Sequence, residues 1–209
     1  MKKRIILISG MDFSGKSTTV DEIERLSPGD VTTQSKLISS PGNNVAWQKR
    51  LLVKAHFESH GLQKPQDYES LILKALEFDI AQFQNSDTSV TPIIQDTLFM
   101  LKRYAKVIQK NSSLAILEKY RELIALLPEM DSVYLTTTPQ ERMRRFYDRS
   151  RSNIKITGTD KLLLENPDSF FQLDEIYQQQ VLQRFPNTRI IDTTNTTPTE
   201  SAKSIIEEL

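Results

Sequence analysis

Gly10-Met11-Asp12-Phe13-Ser14-Gly15-Lys16-Ser17 fits the pattern G-x-x-x-x-G-K-[ST], the phosphate-binding loop or P-loop. The context agrees with the letters. Residues 4–9, Arg-Ile-Ile-Leu-Ile-Ser, form a short apolar run that reads as a buried parallel strand, and Lys16–Leu26 reads as a helix. Strand, glycine loop and helix in that order are what give the pattern a physical meaning. Gly10 and Gly15 allow backbone angles and close approaches that a Cβ would block. The loop can then turn its N–H groups inward around an anion, and the helix that follows adds its positive end.

Gly10, Ser14, Gly15, Lys16, Ser17 and Thr18 are therefore assigned to binding the phosphates of ATP. Lys16 reaches the β- and γ-phosphates, and the Ser17 hydroxyl ligates Mg²⁺. Asp12 is the unusual member. An acid inside an anion-binding loop needs either a use or a cationic neighbour, such as an acceptor hydroxyl or an arginine to contact.

Farther along, the chain alternates between strand and helix. Residues 31–39 read as a second strand and Ser40-Pro41-Gly42-Asn43-Asn44 as a turn. Residues 45–60 and 66–83 read as helices, the second carrying Leu73, Leu76, Ile80 and Phe83 at helical spacing. Residues 90–95 are a β-rich run closing on Asp96. Helices follow at 100–109 and 114–127, a fourth strand at 131–135, and a helix opened by Pro139. Residues 167–185 read as a helix, 189–192 as the last strand and 197–209 as a closing amphipathic helix. This alternation implies an α/β fold: a doubly wound, parallel five-stranded sheet with helices on both faces, in one domain over 1–209. A small helical lid is expected around 141–160.

Asp96 stands at the carboxyl end of an apolar strand, the edge of an open α/β sheet where ligands bind. A carboxylate there can hold Mg²⁺ or accept a proton from an attacking hydroxyl, or it can cap the next helix. The stretch 141–155 carries Arg142, Arg144, Arg145, Arg149, Arg151 and Lys155 against only Glu141 and Asp148. Arginines donate paired hydrogen bonds to a phosphoryl group in flight, so Lys16, Asp12, Asp96, Arg145 and Arg149 form the expected catalytic set. A solvated helix face is the competing reading of the same charges. In His56-Phe57-Glu58-Ser59-His60 the acid stands one place too late for the zinc pattern H-E-x-x-H. Among Trp47, Phe57, Tyr68, Phe78 and Phe83, one or two can stack on a flat group and the rest belong to the core.

Composition sets the remaining bounds. Lys and Arg number 27, as do Asp and Glu, which argues against broad nucleic-acid binding. With no cysteine, there is neither disulfide nor thiol chemistry. The apolar run near the start is too short for a signal sequence, and none approaches a membrane span. A cytoplasmic enzyme is the expectation.

Gly10 to Thr18, reading G-M-D-F-S-G-K-S-T, resembles the P-loop of thymidylate kinases, where an acid commonly occupies the third position. Similar order and spacing extend over almost the whole chain: residues 39–44 at a turn, Ile94-Gln95-Asp96-Thr97 at a strand ending in Asp-Arg, Val133-Tyr134-Leu135 with Pro139-Gln140-Glu141-Arg142 leading into the lid, and Ile191-Asp192-Thr193-Thr194 at the end. The resemblance implies a kinase fold, ATP, Mg²⁺, an arginine-bearing lid and often a homodimer. Departures bear on the acceptor. Ser39 and Thr97 stand where that family has arginines, and the helix containing Leu73 to Phe83 has Glu77 and Asp79 and no arginine. Phe13 replaces the Gly or Arg common at its position, so transfer arginines have to come from the lid. The expected activity is phosphoryl transfer from ATP to a nucleotide, a nucleoside or another hydroxyl compound, which need not be thymidylate. A regulatory or catalytically degenerate P-loop protein and an ATP hydrolase are the alternatives.

Overall fold

The computed structural model describes residues 5–33, 48–49, 52, 55–56, 59–60, 68–85, 91–95, 100–151 and 159–207. The expected strand in 4–9 forms as β1 (Ile6–Ser9), with all four residues buried. A strand buried on both faces reads as an unbroken apolar run, because no side chain meets water. It sits at the centre of a five-stranded sheet of order β2-β3-β1-β4-β5, where β2 is Val31–Thr33, β3 Thr91–Gln95, β4 Asp131–Thr136 and β5 Arg189–Asp192. Every pairing is parallel; Ile6 lies opposite Ile93 on one side and Asp131 on the other.

Successive side chains on β1 serve different layers. Ile6 and Ile8 pack with Val20 and Ile23 of α1 (Lys16–Leu26) and with Ala202 and Ile205 of α8 (Pro198–Ile206). Leu7 packs on the opposite face, in a larger core that also holds Leu76, Tyr104, Tyr120 and Leu173. These come from α2 (Tyr68–Asn85), α3 (Met100–Gln109), α4 (Leu114–Ala125) and α7 (Pro167–Arg184). Leu73, Leu76, Ile80 and Phe83 are all buried, as their spacing predicts, and so is Tyr68, whereas Phe78 is exposed. Glu69 of α2 accepts hydrogen bonds from Arg103 of α3 at 2.9 Å and Tyr120 of α4 at 2.5 Å, tying the three helices together.

Helix ends follow local chemistry. In α8, Thr197 and Glu200 form a capping box and Pro198 opens the first turn. In α7, Asn166 accepts from the Ser169 N–H at 3.1 Å just ahead of Pro167. One helix was not expected from sequence: α6 (Thr159–Glu165). Its three consecutive leucines give no helical period, and Leu163 alone of the three is buried. Between α5 (Pro139–Arg151) and α6 the expected lid passes through residues outside those described, as do the turn at 40–44, Ser39, Asp96, Thr97 and Lys155. Among the described residues, no helix is long and apolar enough to cross a membrane.

Candidate active site

The loop after β1 lies at the carboxyl edge of the central strand, flanked by β3 and β4. Gly10 has φ +138° and Gly15 φ +90°, conformations that L side chains rarely adopt. Space makes Gly10 stricter still. A Cβ there would lie 2.3 Å from the Leu135 carbonyl oxygen and 2.7 Å from the Ser14 hydroxyl. Lys16 is buried at the first position of α1, and its Nζ donates to the Met11 carbonyl oxygen at 2.9 Å, so the ammonium spans the loop. Thr18 turns its hydroxyl back to the Gly15 carbonyl at 2.8 Å.

Asp12 has the cationic neighbour that its position demands, and it is a lysine. Lys102 of α3 donates to both carboxylate oxygens, at 2.8 and 2.9 Å. Burial by itself would raise the Asp12 carboxyl. The charges of Lys102, Lys16 and Lys106, with the Lys102 hydrogen bonds, reverse that and hold it well below the usual carboxylate range. One turn along α3, burial and then the Lys102 charge push Lys106 down to about 8.

Ser17 accepts a hydrogen bond from Gln95 Nε2 at 3.0 Å. Gln95 ends β3, one residue before Asp96, so the assigned metal-binding hydroxyl faces the strand end that leads to the assigned acid. Among the described residues, no three His, Asp or Glu side chains converge on a common point.

The basic stretch separates by helical phase. Arg144 is 61% exposed and pairs with Glu141 and Asp148 on the solvent face, as the bland reading of a charge run expects. Its hydrogen bond, followed in effect by that of Arg145, holds Glu141 down to about 2. Arg142 faces the opposite way. It is 1% exposed, 2.9 Å from Asp174 of α7 and over the Phe170 ring. Arg145 turns to the loop: Nη1 donates to the Phe13 carbonyl at 3.2 Å and the Thr193 hydroxyl at 3.0 Å, and Nη2 to the Thr193 carbonyl at 2.5 Å. Arg149 lies with its guanidinium 5.5 Å from the centre of the Phe13 ring. Phe13 itself has φ +66°, uncommon for a non-glycine residue.

Sequence reasoning missed Gln95, Lys102 and Thr193. The Thr193 hydroxyl, just beyond β5, lies 3.0 Å from both the Ser14 and Thr136 carbonyl oxygens, so one buried side chain joins the loop, β4 and the last strand. Asp192 is structural; it accepts from the Thr194 N–H and hydroxyl at 2.8 and 2.5 Å. Beside the loop opens a cleft of about 500 Å³, lined among others by Gly15, Thr18, Arg144, Thr194, Asn195 and Pro198.

Comparison with solved structures gives the same architecture. The thymidylate kinase of Candida albicans superposes with a TM-score of 0.63 at 19% identity, over 99% of this chain and 90% of that one. The fold is that of the thymidylate kinase-like nucleotide kinases. Deoxyadenosine kinase from M. mycoides with bound dATP matches at a TM-score of 0.56 and 17% identity, covering 98% of each chain. EHV4 thymidine kinase matches at 0.52 and 12% identity, over 99% of this chain and 89% of that one. No protein-family model and no curated protein sequence matches the chain.

Proposed function

We propose that this chain transfers the γ-phosphoryl group of ATP to a hydroxyl of a small acceptor, a nucleoside or nucleotide by preference. The observation that carries the reading is the loop: Gly10 and Gly15 at positive φ, Lys16 across the opening, and a first helical turn pointing its N–H groups at the same space. The kinase structures that share the fold support it.

The donor side is the better furnished. Gly10 and Gly15 at positive φ let the loop turn its N–H groups toward an anion, and close packing on Leu135 fixes where the loop begins. The cleft past Gly15, with a guanidinium at Arg144 and the hydroxyl and amide groups of Thr194 and Asn195, has room for the base and ribose of the donor. Mg²⁺ would be held by the Ser17 hydroxyl, which faces the end of β3, and would neutralise charge on the transferring group.

On the acceptor side, Asp12 remains a carboxylate under the Lys102 charge. That makes it a poor base and a good hydrogen-bond acceptor, so it orients the incoming hydroxyl. Asp96 is left to take the proton. The acceptor oxygen bonds to the γ-phosphorus, the bond from that phosphorus to the β-phosphate oxygen breaks, and ADP leaves. Arg145 braces the loop from above Gly15, and Arg149 supplies charge to the group in flight.

Glu77 is exposed on α2, and Asp79 is buried there. Cations near the loop come from α3, where Lys102 pairs with Asp12 and Lys106 follows one turn on.

Incubation with ATP, Mg²⁺ and a panel of nucleosides, nucleoside monophosphates and amino alcohols tests the proposal. Acceptor-dependent ADP release is the expected result. Binding of ATP without turnover on any acceptor supports a regulatory protein, and ADP release that ignores the acceptor supports a hydrolase.

A further inference from the structure

Phe13 holds a backbone conformation that a phenylalanine resists, at the one loop position where glycine would relieve it. Such strain persists where the surroundings over-determine it. Here they do so from a single helix. Three side chains on α5, at positions 145, 146 and 149, grip the residue. Arg145 donates to its carbonyl, Phe146 meets its ring edge-to-face at 5.5 Å and 80°, and Arg149 lies over the same ring. Phe146 is buried in the main core, so it fixes the ring from behind. Arg149 is exposed, so one face of its guanidinium rests on the ring while the side chain stays open to the solvent above the loop.

A simple core plug does not explain this arrangement, because a plug needs no positive φ and no cation. Attraction to a ring face is directional and holds a guanidinium without consuming its N–H donors. Arg145 already commits donors on all three of its nitrogens to Glu141, Phe13 and Thr193. Arg149 keeps its donors for a ligand while its position is restrained, and restraint of that kind counts directly in a transfer reaction.

We propose that Phe13 is the positioning residue for the transfer arginine: clamped by Phe146, its ring holds the Arg149 guanidinium beside the loop, where the arginine meets the phosphoryl group as it moves. The proposal rests on the kinase reading above, and its test separates the two.

Phe13→Gly removes the ring and suits φ +66°, so this variant keeps the loop fold. In single-turnover transfer from saturating ATP to the best acceptor found in the panel, Phe13→Gly lowers the rate about 10-fold. Its ATP dissociation constant, read by titration calorimetry, stays within about 3-fold of the wild type, since losing the ring leaves the backbone cradle intact. Phe13→Tyr, which keeps the ring face, restores most of the rate. In an Arg149→Ala background, Phe13→Gly costs less than about 2-fold more, because the two residues act as a unit. A wild-type rate for Phe13→Gly, equal losses in both backgrounds, or a loss confined to ATP affinity would overturn the proposal.

Limited tryptic digestion judges the clamp without any turnover. Cleavage after Arg149 and Arg151 accelerates about 5-fold in Phe13→Gly if the ring holds the helix, in line with the modest strength of an exposed cation–ring contact. Unchanged cleavage means there is no clamp. If the wild type transfers to no acceptor, the kinase reading fails and the transfer role falls with it, whereas the digestion still decides whether Phe13 holds α5.

Discussion

Replacing Gly10 with alanine tests the geometry of the loop at its tightest point. The new methyl would lie 2.3 Å from the Leu135 carbonyl oxygen, about 1 Å inside an ordinary contact by the usual carbon–oxygen spacing of about 3.3–3.6 Å. Leu135 is fully buried in β4, paired to β5, so its carbonyl cannot swing away without opening the sheet. The Ser14 hydroxyl, 2.7 Å off, is buried as well. Overpacking of this kind costs about 1–3 kcal/mol. The backbone angle of +138° adds about 1–3 kcal/mol for a residue with a Cβ. Together they come to about 4 kcal/mol, or a fall in Tm of about 8–16 °C for a chain of this size. Gly29 supplies the control. It has φ +87°, and a methyl added there would meet nothing within 4 Å, so Gly29→Ala carries the angular cost alone, about 1–2 kcal/mol. Urea unfolding followed by circular dichroism, with slopes compared to confirm a common denatured state, reads both variants. The difference between them isolates the collision with β4. Equal destabilisation of Gly10→Ala and Gly29→Ala, or a Gly10→Ala cost under about 1 kcal/mol, would refute the argument from close approach.

Arg142→Ala should destabilise the protein by about 3 kcal/mol in the same assay, because it removes the buried cation facing Asp174 and leaves that carboxylate with the Tyr134 hydroxyl. For Lys102→Met the expected signature is in acid. Asp12 is depressed in the folded state, so its pairing contributes stability above the ordinary carboxylate pKa of about 3.9, lost as pH falls through and below that value. Stability of the variant should therefore fall less steeply than the wild type below about pH 5, and parallel curves would count against the pair. For Lys106 the sign of the contribution is reversed, because burial lowers its pKa in the folded protein. The folded protein releases its proton near 8 and the unfolded chain near 10.4, so stability rises with pH across about 8 to 10, and Lys106→Met should flatten that rise.

The geometry of the loop was legible in the sequence because its determinants are local. A four-residue buried strand, two glycines and a helix start lie within a single stretch, and each is read by its own rule. Helix faces were also readable where apolar spacing was regular, as in α2. What escaped was set by contacts distant in sequence. Lys102 reaches Asp12 across 90 positions, and nothing in α3 marks that lysine from its neighbours. Thr193 reaches Ser14 across 179. Within the basic stretch, sequence showed the charge and not the phase. A fully buried arginine at 142 runs against the usual exposure of its type, and only the packing of α7 reveals its partner.

Transfer itself is the decisive measurement. ATP labelled at the γ-phosphate, with Mg²⁺ and a panel of nucleosides and nucleoside monophosphates, should yield a labelled acceptor with the wild type and none with Lys16→Ala, whose fold is retained. Label released only as inorganic phosphate, or equal product from Lys16→Ala, would contradict the assignment of this loop to phosphoryl transfer.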